Sequence, residues 1–219
     1  MRNPWLNLPK AQPHILPEDL AILNGNKSSP EKLGLRLEVL PVPYVGNPET
    51  AEVILLCLNP GFIQQDVDDY ENDSEFKQEN FNVLSFQGKP PFFYFNPKFR
   101  YTGGYKWWSK ILRELIQQFG EETVSEKFMC LQYIAYHSVT FVKPPKMLES
   151  QKFTFNLLRE AIKQKKTIVV MRSKKLWIQA VPELEDYPYI ELKNYRRPFI
   201  SRNNIKNGDF EKIIFALKS

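Results

Sequence analysis

Apolar and polar positions along this chain follow two rhythms. Val53–Leu58 is apolar without a break, as is Phe128–Tyr136 apart from Gln132, and Lys166–Met171 and Tyr189–Leu192 are shorter segments, apolar apart from Lys166, Thr167 and Glu191. Continuous apolar runs of this length are the pattern of strands buried on both faces, as in parallel sheets. Between them the spacing changes to that of helices. Trp108, Ile111, Leu112, Leu115, Ile116 and Phe119 predict a helix over Tyr105–Phe119, which Gly120 stops. Further helices are predicted over Ser150–Lys165, Lys174–Ala180 and about Gly208–Lys218. Strands alternating with helices predict an α/β fold whose sheet has about four parallel strands.

Two stretches lack a clear rhythm. Residues 1–50 are rich in proline and read as an arm packed on the core, with a helix starting at Pro17-Glu18-Asp19-Leu20. Residues 63–105 read as irregular. They contain an acidic block from Asp66 to Glu75, taken as a solvated loop, with a metal site as the sharper reading. Its spacing lacks the sixth-position glycine of an EF-hand. They also contain an aromatic run fenced by prolines, Pro90-Pro91-Phe92-Phe93-Tyr94-Phe95-Asn96-Pro97, followed by Gly103-Gly104.

Composition narrows the picture. The 219 residues suit one domain. Lys and Arg number 30 against 25 Asp and Glu, a net charge of +5 that permits a polyanionic partner without requiring one. Cys57 and Cys130 each lie in an apolar run and read as buried thiols. No apolar run reaches the roughly 18 residues of a membrane span, and the start of the chain lacks the apolar core of a signal peptide. The expectation is a cytoplasmic protein that touches no membrane. G-x-S-x-G, phosphate-loop and H-E-x-x-H patterns are all absent.

The chemistry should lie where the strands end. The four predicted strands carry polar punctuation at their carboxyl ends: Asn59, then Tyr136-His137-Ser138, then Arg172-Ser173, then the loop from Asn194 to Asn204. In parallel strands these ends meet on one edge, where open α/β sheets bind ligands. Asn59-Pro60-Gly61 makes a sharp stop after the first strand. An amide there can hold a water or a substrate group and cannot ionise, though an Asx-turn would use the same residue.

On these residues the chain resembles the uracil-DNA glycosylase superfamily. Cys57-Leu58-Asn59-Pro60-Gly61 matches four of the five positions of the G-I/L-N-P-G motif of the mismatch-specific branch, with Cys57 in place of the glycine. Arg196-Arg197-Pro198-Phe199-Ile200-Ser201 falls where the second motif, H-P-S-P-L-S or N-P-S-G-L-N, follows the last strand. It lacks the leading His or Asn.

The resemblance implies a three-layer α/β/α fold with a central four-stranded, mainly parallel sheet. It also implies a monomer that needs no cofactor or metal and acts on DNA, cutting the bond between deoxyribose and a flipped base. Asn59 would hold the attacking water, and His137, the second catalytic candidate, would contact the base edge or else serve structurally. Pro60, Gly61, Phe62, Tyr94, Phe95, Tyr136 and Ser138 would form the base pocket, with Phe62, Tyr94 or Phe95 as stacking platform or as plain core. Arg196, Arg197, Ser201 and Arg202 would hold phosphates, with Phe199 or Ile200 as a wedge in the base stack. The altered motif residues favour a damaged or modified base, such as modified phage DNA carries, beside uracil itself. A non-catalytic nucleic-acid- or protein-binding member of the same fold is the alternative.

Overall fold

The computed structural model describes residues 2–24, 29–206 and 208–218. Its strands are β1 (Leu35–Arg36), β2 (Tyr44–Val45), β3 (Val53–Cys57), β4 (Phe128–Gln132), β5 (His137–Ser138), β6 (Thr167–Val170) and β7 (Ile190–Glu191). Its α-helices are α1 (Pro17–Leu23), α2 (Gln64–Asn72), α3 (Ser74–Leu84), α4 (Gly103–Ile111), α5 (Arg113–Lys127), α6 (Gln151–Lys163), α7 (Lys174–Ala180) and α8 (Asp209–Lys218). The fold is α/β, with one mixed, mostly parallel sheet of five strands in the order β2-β4-β3-β6-β7. The strands β4, β3, β6 and β7 run parallel, and β2 is an antiparallel edge. A second, two-stranded antiparallel sheet joins β1 to β5.

The centre of the sheet follows from its residues. Every residue of β3 is buried, and Leu55 faces Cys130 on one side and Val169 on the other. Helix α6 packs near β4, and α8 packs near β3 and β6. Buried apolar side chains form one cluster from Trp5 and Leu8 in the N-terminal arm to Phe210 and Leu217 in α8. Cys57 and Cys130 are buried free thiols, and Cys57 Sγ lies 3.6 Å from Met171 Sδ. Among the described residues no helix is long and apolar enough to cross a membrane.

Three expectations change. The antiparallel edge β2 lies inside the proline-rich arm, where Pro43 offers only its carbonyl, accepting the Gln132 N–H. The acidic block is helical. Asp73 caps α3 by accepting the N–H groups of Glu75 and Phe76, and Tyr70, Phe76, Val83 and Leu84 supply a buried face. No cluster of three metal-capable side chains occurs among the described residues. The helix predicted over Tyr105–Phe119 breaks at Leu112 into α4 and α5. Gly120 leaves helical geometry at φ 83° within α5, after which the helix resumes to Lys127.

Candidate active site

The end of β3 is held from three directions. The Trp177 indole of α7 donates to the Cys57 carbonyl at 2.9 Å, Tyr133 N–H donates to the same oxygen, and Ile134 N–H donates to the Leu58 carbonyl. The chain then leaves the strand through Asn59-Pro60-Gly61 at the carboxyl edge of the parallel strands, an open segment in which Gly61 does not take the positive φ that the sequence allowed. Asn59 is half-buried, and its Nδ2 donates to the Pro60 carbonyl and to Ser138 Oγ, both at 2.9 Å. A carbonyl can only accept, so the amide's orientation is fixed. Its Oδ1 is left without a protein partner among the described residues.

Asn59 lines a cavity of about 530 Å³, within the size range of small-molecule sites. The cavity takes residues from all the loops at this edge. Pro60, Gly61 and Phe62 follow β3, Gln132 ends β4, His137 and Ser138 form β5, Arg172 follows β6, and Pro198 comes from the loop after β7. Tyr94 and the amino-terminal turn of α4, through Gly103, Gly104 and Trp107, close another side. Of the residues expected at the site, the structure brings Asn59, Pro60, Gly61, Phe62, Tyr94, His137 and Ser138 to one cavity.

His137 is a clamp on the Asn59 segment. Its Nδ1 faces the Gly61 carbonyl at 2.6 Å, so the proton sits on that nitrogen. Burial pushes its pKa below the ordinary imidazole value, against the opposing pull of the Gly61 and Leu40 carbonyls and the Asp66 carboxylate. A neutral ring whose N–H is committed to the main chain positions the loop rather than donating into the cavity. Phe62 lies half-buried beneath the Arg36 guanidinium, 4.2 Å from its ring centre.

Three lining residues were not among the expected site residues, although Arg172 was noted at a strand end and Asp66 in the acidic block. Gln132 is 8% exposed, and among the described residues no hydrogen bond involves its side chain, whose Oε1 is buried without a partner. Asp66 of α2 accepts the Ile63 N–H at 2.8 Å, and burial raises its pKa above the usual carboxylate value. Arg172 is exposed at the cavity edge with no carboxylate partner among the described residues. A signal existed for Gln132, the one non-aromatic polar residue between Phe128 and Tyr136.

The remaining expected site residues lie elsewhere. Tyr136 is buried away from the cavity, and its hydroxyl donates to Asp19 Oδ2 at 2.7 Å and accepts the Leu16 N–H. The ladder ends at Gln132, four residues before the apolar run does, so Tyr136 has already left the sheet. Phe95 packs in the core against Phe92 and Tyr105. Ile200 is fully buried, and its N–H donates to the Ile111 carbonyl. Phe199 is half-buried beneath Lys110.

The loop after β7 is built around Asn204, whose Nδ2 donates to the carbonyls of Arg197 and Phe199 at 2.8 and 2.9 Å. The Ser201 carbonyl accepts the N–H groups of Asn204 and Ile205 within the same turn. Arg202 is neutralised by Glu114 and Glu211 and lies over Phe210, so it is not free for a phosphate. Arg196 and Arg197 are exposed, their N–H groups held by Asn194 Oδ1 and their guanidinium groups without a carboxylate partner among the described residues. In comparisons with protein-family models, curated proteins and solved structures, no match to the chain was found.

Proposed function

We propose that this chain is a monofunctional DNA glycosylase of the uracil-DNA glycosylase type, with that superfamily's three-layer α/β/α arrangement. It hydrolyses the N-glycosidic bond of an extruded damaged or modified base, uracil-like or a modified cytosine, and leaves an abasic site. The observation that carries this reading is Asn59. It is an amide lining a cavity that can admit a base, at the carboxyl edge of the parallel strands, locked through its nitrogen and with its oxygen unpaired among the described residues.

A water that donates one hydrogen to Asn59 Oδ1 turns a lone pair toward C1′ of the deoxyribose. As the C1′–N bond breaks, the sugar gains oxocarbenium character. The water oxygen forms the new C1′–O bond, and the base departs with the bonding pair. The proton released by the water ends on the base, and Asp66, a carboxyl of raised pKa in the same cavity, can carry it. Phe62 offers a face for stacking, worth about 1–3 kcal/mol per base. Gln132 offers an acceptor and a donor to the base edge, and its acceptor Oε1 is buried with no partner among the described residues. No lysine lines the cavity among the described residues, and hydrolysis by a water needs no Schiff base.

Mass spectrometry of bases released from DNAs carrying uracil, deaminated, alkylated or modified bases tests this. One base class should appear, with an equal yield of abasic sites. If every base stays intact while the DNA is bound, the non-catalytic reading replaces this one.

Gln132→Leu separates recognition from folding. A buried unpaired carbonyl oxygen costs about 1–3 kcal/mol, so the variant should be as stable as the parent or more so in urea denaturation. Base release should nevertheless fall. A clear loss of stability would show that the amide is satisfied within the fold.

A further inference from the structure

Resting on the glycosylase reading, we propose that the cavity takes its nucleotide from single-stranded DNA, with Trp107 as the stacking platform for a neighbouring base. The first observation concerns the loop after β7, where the resemblance places a wedge. Taking a nucleotide out of a duplex leaves a gap that an apolar side chain usually fills. Neither Phe199 nor Ile200 is free to fill it. Ile200 is 0% exposed and tied to Ile111, and Phe199 is half-buried under Lys110. The exposed part of that loop presents Arg196 and Arg197, and the Tyr195 hydroxyl is held by Glu191.

The second observation is an exposed apolar rim. Trp107 is 40% exposed, Ile63 54% and Val139 73%, and all three line the cavity. The Trp107 indole is braced edge-on against the buried ring of Trp108, with centroids 4.5 Å apart. Apolar groups gathered in this way at a cavity mouth mark a contact surface. A duplex would meet this rim with its phosphates and keep its bases hidden. An unpaired strand exposes the faces of its bases.

The third observation supplies the charge. Arg172 belongs both to the cavity and to an adjoining hollow of about 540 Å³ lined by Ser173, Tyr195 and Arg196. Arg172, Arg196 and Arg197 have no carboxylate partner among the described residues, whereas nearby Lys174 is neutralised by Glu191. Aromatic platforms beside unneutralised guanidinium groups are what single-strand binding uses. A strand that is already unpaired also spares the cost of extrusion.

The test is binding of one fluorescein-labelled oligonucleotide, single-stranded or annealed to its complement, by the full chain, with Trp107→Ala and Trp107→Phe alongside. Tighter binding of the single strand is expected. Trp107→Ala should weaken it about fivefold to a hundredfold, the range that stacking one base supplies, and Trp107→Phe should recover most of the loss. Circular dichroism checks that both variants fold. Equal or tighter duplex binding, no binding of either form, or an unaffected Trp107→Ala would overturn the proposal. Release assays keep the two readings apart. Trp107-dependent single-strand binding without any base release leaves this surface standing and removes the glycosylase. Base release that is faster from duplex does the reverse.

Discussion

Asn59→Ala is expected to lower base release by about a hundredfold or more, the scale on which misplacing one reacting group by an ångström acts, while the protein stays folded. The two halves of this expectation come from the two ends of the amide. Its Nδ2 donates to the Pro60 carbonyl and Ser138 Oγ, and losing those bonds costs about 1 kcal/mol. The segment survives that loss because Ser138 N–H also reaches the Pro60 carbonyl and His137 holds the Gly61 carbonyl. Its Oδ1 has no partner among the described residues, so its removal should be felt chiefly by a ligand. Asn59→Asp divides the roles. It keeps an acceptor but sets a carboxylate oxygen where Nδ2 met the Pro60 carbonyl, so it should lose more stability than alanine yet retain more activity. Equal rates for the alanine variant and the parent would make Asn59 a structural residue and nothing else. The readout is abasic-site formation, with chemical denaturation run on the same samples.

How much of this was legible in the sequence depended on how each element announces itself. The parallel strands β3, β4 and β6 were visible because strands covered on both faces must be apolar throughout. Asn59 was visible because proline and glycine punctuate the end of such a run. Helices α2 and α3 were hidden by their acids and amides, since only a few apolar positions carry their buried faces. That concealed Asp66, which reads as one more surface acid until α2 turns it toward the cavity. Gln132 was hidden for the opposite reason. The apolar run continues past the ladder into a buried loop, so the strand end seemed to lie at Tyr136. Trp107 sits one position off the apolar stripe of its helix, which is why it reaches the surface while Trp108 does not. Pattern marks what is buried. Which buried or half-buried group faces a cavity depends on contacts between segments far apart in the chain.

Gly104→Ala is expected to destabilise the protein and close the site, although alanine is normally better than glycine in a helix by about 0.5–1 kcal/mol. A Cβ at position 104 would lie 2.1 Å from Tyr94 Cε1 and 2.4 Å from Cδ1, well inside contact distance. The Tyr94 ring therefore lies directly on the backbone of α4. It cannot simply slide away, because Phe93 packs beside it with centroids 4.1 Å apart. Overpacking of this kind costs about 1–3 kcal/mol, enough to cancel the helical gain and reverse its sign. If the ring yields, the open space beside it is the cavity that both residues line. Base release should then fall with stability. The double variant Gly104→Ala/Tyr94→Ala makes the argument testable by itself. With the ring gone, alanine at 104 should be neutral or mildly stabilising relative to Tyr94→Ala alone. The two substitutions should thus couple by more than 1 kcal/mol in a denaturation cycle, as residues in contact do. Gly104→Ala that is as stable as the parent while Tyr94 is present would mean that the ring does not lie on the helix. The cavity would then need a different wall.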